Sequence, residues 1–262
     1  MIPVGQIISI GIRDIIKKPA LAQQIIRATK QGIAEWQNGA NVRDCADIQP
    51  FIIDEIEARH QRLPTSYQQR RAVPVSVKTR IGFDAPQIER CLPALLVCEP
   101  AAIGIHGRTL KQGYAGDADW DEIGIAVEIA RDAETLILGN GDVTSFEDAQ
   151  ARVVAYGVDG VLIGRGSYGK PFVFQHSDGY TKNGTPHHVD EFRMLRIALD
   201  HARLYESTFR DYGRYHFPPM RKHLGWYVRE MPGARYLRRD LSLTSSVEEV
   251  EEILERYYAY RQ

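Results

Sequence analysis

Apolar residues recur at helical spacing through Leu21, Ile25, Ile26, Ile33 and Trp36, which predicts a helix over about Pro19–Trp36 that Asn38-Gly39 ends. A second helical stretch covers roughly Ile48–Leu63 and runs into a polar, basic loop to Arg71. From Ala72 the period changes. Four short β-rich runs, Pro74–Arg80, Ala101–Arg108, Thr135–Asp142 and Gly160–Gly166, alternate with helical stretches at Pro86–Val97, Trp120–Arg131 and Ser145–Ala155. Strands that alternate with helices in this way are joined by right-handed crossovers and lie parallel. Beyond Phe174 the alternation stops. A polar linker, His176–Val189, leads to three more predicted helices: Glu191–Phe209, Met220–Val228 and Ser246–Tyr260. Thr244-Ser245-Ser246 is the expected N-cap region of the last, with Glu248 and Glu249 in its first turn. The expected organisation is an α/β domain over 1–174 and a small all-helical domain over 175–262.

The chemistry gathers where the strands end, the side on which α/β folds assemble their sites. Ser76, Lys78 and Arg80 share one face of the first run, because side chains alternate along a strand. A basic face on an apolar strand is costly unless an anion meets it, and a neighbouring carboxylate is the ordinary explanation. The second run ends Ile105-His106-Gly107-Arg108, with His106 on the face of Gly104 and Arg108. The third ends Gly139-Asn140-Gly141-Asp142, where glycine admits a close ligand and Asn and Asp can hold hydroxyl or amide groups. A plain strand-to-helix turn would use the same residues. The fourth ends Gly164-Arg165-Gly166, backbone N–H groups plus one guanidinium that suit a phosphate. Four consecutive strand ends of this kind predict a phosphorylated cofactor.

Together these residues resemble the tRNA-dihydrouridine synthase family of flavoenzymes. The resemblance rests on Pro74-Val-Ser-Val-Lys-Thr-Arg-Ile-Gly82, on His106-Gly-Arg-Thr109 running on to Tyr114 and Ala118-Asp-Trp120, and on Gly139-Asn-Gly-Asp142. It continues through Asp159-Gly-Val-Leu-Ile-Gly-Arg-Gly166, Pro171-Phe172, Met220-Arg-Lys-His-Leu-Gly-Trp-Tyr227, Pro232-Gly-Ala-Arg235 and Leu237-Arg238. The fold it implies is the C-terminal half of a TIM (β/α)8 barrel, about four parallel strands, followed by a helical tRNA-binding domain. The activity it implies is reduction of uridine to 5,6-dihydrouridine in tRNA, with FMN as cofactor and NADPH as electron donor. By the same resemblance Lys78 and His106 would contact the flavin, and Asn140, Gly141, Asp142, Gly164 and Arg165 its ribityl and phosphate parts. Arg221, Lys222, His223, Arg235 and Arg238 would meet tRNA, and no metal is expected.

The family's first four strands have no counterpart here, nor have its flavin-binding Pro-Met segment, a flavin-contacting Gln and the Asn-x-Gly-Cys-Pro motif whose cysteine donates a proton to uracil. Cys45, Cys91 and Cys98 stand in other contexts, so the catalytic residues are unassigned. Lys17-Lys18-Pro19-Ala20-Leu21 and Ile25-Ile-Arg-Ala-Thr29 resemble the helix that follows that cysteine, so the chain is expected to begin inside the barrel. A truncated gene, a frameshift or a misplaced start would each produce this. Residues 37–72 are longer than the usual link and carry no functional assignment. A half-barrel leaves two strand edges unpaired, which predicts self-association.

Composition changes the picture in one place. The whole chain has a formal net charge of −1, yet Arg193–Arg239 holds eleven basic and four acidic residues, a balance of +7. A concentrated basic face within a neutral chain is the electrostatic footprint of a nucleic-acid backbone; a solvated helix surface is the plain alternative. Three cysteines without a CxxC fit a reducing cytosol. The apolar run Ile7, Ile8, Ile10 and Ile12 is interrupted by Arg13 and Asp14 and too short to span a membrane. A cytoplasmic location is expected. Two rival readings remain: a non-catalytic tRNA- and flavin-binding remnant, and an FMN barrel oxidoreductase acting on a small molecule.

Overall fold

A computed structural model describes residues 18–45, 47–174, 191–211, 215–229 and 231–261. The N-terminal apolar run and the linker over His176–Val189 lie outside the described residues. The chain divides into two compact units, one formed by residues up to Gly141 with Arg152–Leu162, the other by Asp142–Ala151 with Ile163 onward.

In the first unit, α1 (Pro19–Gln37) begins on a proline, whose fixed φ suits a first helical turn, and buries Ala22 and Ile26. Helix α2 (Pro50–Arg62) buries Ile53 alone, and α3 (Thr65–Gln68) is a single turn. Four strands follow: β1 (Ser76–Arg80), β2 (Ala102–His106), β3 (Leu136–Asn140) and β4 (Gly160–Leu162), with helices α4 (Ile88–Leu96), α5 (Trp120–Ile129) and α6 (Phe146–Tyr156) between them, the residues of α6 up to Ala151 being counted in the second unit. The sheet order is β1-β2-β3-β4 and every pairing is parallel, as the alternation required. Helix α1 lies on α4: Gln23 Nε2 donates to Ala94 O at 2.9 Å and Lys30 Nζ to Glu99 O at 2.7 Å.

The two sheet faces differ in kind. One carries Ile103, Ile105 and Ile137, all buried, with Ile88, Leu92 and Leu95 of α4 and Trp120, Ile123 and Ala126 of α5 also in the core. The register puts Lys78, Gly104, Leu138 and Gly160 in one cross-strand row of the other face, and Arg80, His106, Asn140 and Leu162 in the next. The side chains of Lys78, Arg80, His106 and Asn140 are only half-buried. Strand β4 is shorter than the predicted run because Arg165–Ser167 turn into a 3-10 helix.

The second unit holds α7 (Glu191–Phe209), α8 (Pro218–Tyr227), α9 (Ala234–Leu241) and α10 (Val247–Arg261). Its core brings together Leu195, Ala198 and Ala202 of α7, Met220 and Leu224 of α8, Leu237 and Leu241 of α9, and Val250 and Leu254 of α10. The expected cap of α10 is present: Ser246 Oγ accepts from Glu249 N at 3.3 Å, and Glu249 Oε2 from Ser245 N at 2.7 Å. The segment after β4 belongs to this unit. Tyr168 stacks on Trp226 with ring centroids 4.0 Å apart, and Gly169 approaches so closely that a Cβ there would lie 2.5 Å from Trp226 O.

Candidate cofactor site and nucleic-acid face

Lys78 runs its stem across Gly104, where an added Cβ would come within 2.9 Å of Lys78 Cδ and 3.0 Å of Leu162 Cδ1. Its ammonium donates to Thr79 O at 3.3 Å, and no carboxylate pairs with it among the described residues. Burial disfavours the charged form, Arg80 adds like-charge repulsion, and the pKa falls from 10.5 to about 8. The ordinary carboxylate explanation is therefore not met. Arg80, by contrast, is engaged: its guanidinium donates to Thr109 O at 2.9 Å and Gly113 O at 3.1 Å. Arg108 does the same for the far end of that loop, donating to Ala115 and Gly116 carbonyls.

The motif residues at the ends of β2 and β3 interlock. Asp119 N donates to Gly107 O at 2.6 Å and Gly107 N to Asn140 O at 2.9 Å, so the loop returns to the sheet. Trp120, introduced by the N-cap Asp119, lies across Gly139, where a Cβ would meet its ring at 2.4 Å. Its indole N–H donates to Gly141 O at 3.0 Å. Gly141 has φ +134°, and a Cβ there would lie 2.5 Å from Ala118 Cβ and 3.8 Å from His106 Nε2. Asn140 Nδ2 donates to Leu162 O at 2.8 Å, which ties the end of β4 to β3. Lys78, His106, Asn140 and Gly141 thus come together on one unit at adjoining strand ends. The role of Trp120 was not assigned from sequence, although the glycines that face it were a signal for it.

The remaining cofactor candidates belong to the second unit. Asp142 has φ +54°, and its Oδ1 accepts from Arg165 Nη2 at 3.0 Å. Gly164 and Arg165 are exposed at the start of the 3-10 turn. Gly166 packs on backbone: a Cβ would lie 2.3 Å from Val143 O. Helix α6 starts beside this point in the chain, with Asp148 N donating to Ser145 Oγ at 3.0 Å. Of the cysteines, Cys45 is exposed, Cys98 is buried, and Cys91 sits in α4 where burial pushes its thiol pKa up. None of them stands at the end of β1 to β4.

On the helical unit the basic residues separate by how their charge is used. Arg203 pairs with Glu251 at 2.6 Å, Arg210 with Glu206 at 3.0 Å and Arg239 with Asp240 at 2.9 Å. Arg221 donates through Nε to Thr244 O at 2.7 Å and through Nη2 to Leu243 O at 3.3 Å, so it holds the turn between α9 and α10. Lys222 lies over the Trp226 ring at 5.9 Å. His223 packs edge-on against Trp226 and His201; burial, then His201 and Lys222, lower its pKa, so it acts as a ring and not a cation at neutral pH. Arg235 and Arg238 have no carboxylate partner among the described residues, and Arg238 is exposed. No cluster of three potential metal ligands and no helix long and apolar enough to cross a membrane occur among the described residues.

A parallel (β/α) sheet with polar strand ends on one unit and an arginine-bearing helical unit define a protein of the partial (β/α)-barrel class with a helical C-terminal region. A family model described as dihydrouridine synthase matches residues 60–261, and the chain belongs to that family. It is 33% identical over 193 residues to a probable tRNA-dihydrouridine synthase of Rickettsia conorii, covering 71% of this chain and 56% of that protein. It is 34% identical over 190 residues to one of Mycobacterium leprae, covering 70% and 48%. With tRNA-dihydrouridine synthase B of Pseudomonas putida it shares 34% identity over 172 residues, 63% and 49% of the two chains. The chain spans about half the length of the curated relatives it matches.

Proposed function

We propose that the chain supplies the FMN-binding and tRNA-binding C-terminal half of an enzyme that reduces uridine to 5,6-dihydrouridine in tRNA, with NADPH as reductant. One observation carries the reading: Lys78 is half-buried on the polar sheet face with no carboxylate among the described residues to neutralise it, in the company of His106 and Asn140. A desolvated cation without a counter-charge suits a site for an anionic or strongly polar ligand. The donor set fits a flavin nucleotide. In this reading Lys78 and His106 face the flavin ring, while Asn140, Gly141, Asp142, Gly164 and Arg165 serve the ribityl and phosphate parts. When bound, FMN supplies the hydride for the C5–C6 double bond. Lys78 would hold a positive charge at the ring edge, and the Asp142 pair would fix the Arg165 guanidinium for phosphate. Arg235 and Arg238 would meet tRNA phosphates, with Lys222, His223 and Arg221 supporting that face.

The domain assignment in this reading is a barrel half over 1–174 and a tRNA-binding part over 175–262, working in the cytoplasm. Protonation of the uracil carbon needs a general acid that Cys45, Cys91 and Cys98 do not supply from the strand ends. A flavin- and tRNA-binding protein without activity of its own is therefore the second reading. The unpaired edges of β1 and β4 in the described sheet support self-association, and a monodisperse monomer in sedimentation would count against that. The deciding experiment records flavin absorption of the purified chain and assays NADPH-dependent dihydrouridine formation on an unmodified tRNA transcript. Flavin with product supports the enzyme, flavin without product the second reading, and absence of flavin refutes the cofactor assignment.

A further inference from the structure

Helix α9 buries Leu237 and Leu241 and turns much of the rest of its surface outward. Arg235, Arg238 and Arg239 stand three and four residues apart, the spacing that stacks side chains along one side of a helix. Tyr236 lies at the margin of that face and is 65% exposed, with the Arg239 guanidinium 5.9 Å from its ring centroid. Its hydroxyl has no hydrogen-bond partner among the described residues, so neither packing nor hydrogen bonding accounts for an aromatic ring at this position.

Exposed aromatic rings flanked by guanidiniums have a specific use in RNA recognition. Unpaired bases stack on such rings while the neighbouring cations take the phosphates. A protein partner would also accept an aromatic ring. The charge decides between them: α9 carries three arginines against one carboxylate, and Asp240 is already paired with Arg239.

We propose that Tyr236 is a stacking platform for an unpaired nucleotide of tRNA, with the Arg239 guanidinium beside the ring and Arg235 and Arg238 binding phosphates farther along the strand. The inference rests on the tRNA reading of the helical unit and adds an unpaired base as the element recognised there. It is chemically distinct from backbone binding, because stacking is insensitive to salt and phosphate contacts are not.

The test measures binding of the full chain to a fluorescently labelled, unmodified tRNA transcript by anisotropy at several salt concentrations. Tyr236→Ala should weaken binding about tenfold or more, leave the salt slope unchanged and leave thermal melting unchanged, since the ring is exposed. Tyr236→Phe should restore wild-type affinity. Arg238→Gln should reduce the salt slope by about one. In Tyr236→Trp, the added indole emission should be quenched by tRNA. Wild-type affinity in Tyr236→Ala, or an added indole emission in Tyr236→Trp that tRNA leaves unchanged, would overturn the stacking proposal while the tRNA reading stands. Failure of the unmutated chain to bind the transcript would overturn both.

Discussion

Replacing Lys78 by methionine should stabilise the ligand-free protein, an outcome opposite to that of most substitutions at half-buried positions. The folded state holds the Lys78 ammonium where burial and Arg80 disfavour it, which lowers its pKa from 10.5 to about 8. At about 1.4 kcal/mol per pH unit, that distance is about 3 kcal/mol of folding free energy lost at pH 7. Methionine keeps the apolar stem across Gly104 and removes the charge. The sign follows from proton counts: between about pH 8 and 10.5 the unfolded chain binds more protons at this lysine than the folded one, so this residue makes stability rise with pH across that window. Below pH 8 the full cost is present; above 10.5 it is gone. Urea unfolding of both proteins should give a higher midpoint for Lys78→Met at pH 7 and a much smaller difference near pH 10.5. A variant no more stable than the wild type at pH 7 would refute the claim that Lys78 is desolvated and unpaired. On the proposed flavin assignment the same variant should also lose flavin affinity, because the stability that methionine restores is what such a site forgoes to keep a cation in place.

Two further outcomes are expected. Gly141→Ala should lower stability by roughly 2–4 kcal/mol in a thermal melt, because φ +134° is strained for alanine and its Cβ would collide with Ala118; a melt within error of wild type would contradict the interlocked strand ends. Arg221→Gln should cost about 1–2 kcal/mol through its lost carbonyl partners, whereas Arg238→Gln should leave unfolding unchanged and weaken tRNA binding, so equal stability of the two would dissolve the division between anchoring and exposed arginines.

Periodicity alone located the four parallel strands, the crossover helices and three of the four C-terminal helices, because each rests on a local apolar pattern that neighbours in sequence enforce. It did not find α9, whose two buried leucines lie among arginines and leave too short an apolar signal. Strand-end polarity marked Lys78, His106 and Asn140, since alternation puts them on one face whatever the rest of the fold does. The tertiary structure decided what the residues spend their chemistry on. Arg80 and Arg108 look as available as Lys78 in sequence, yet backbone carbonyls of one loop occupy both. Arg221 looks as available as Arg238, yet it secures the turn into α10. Residue type and spacing fix which groups can meet a ligand, and only long-range packing determines which of them already have a partner.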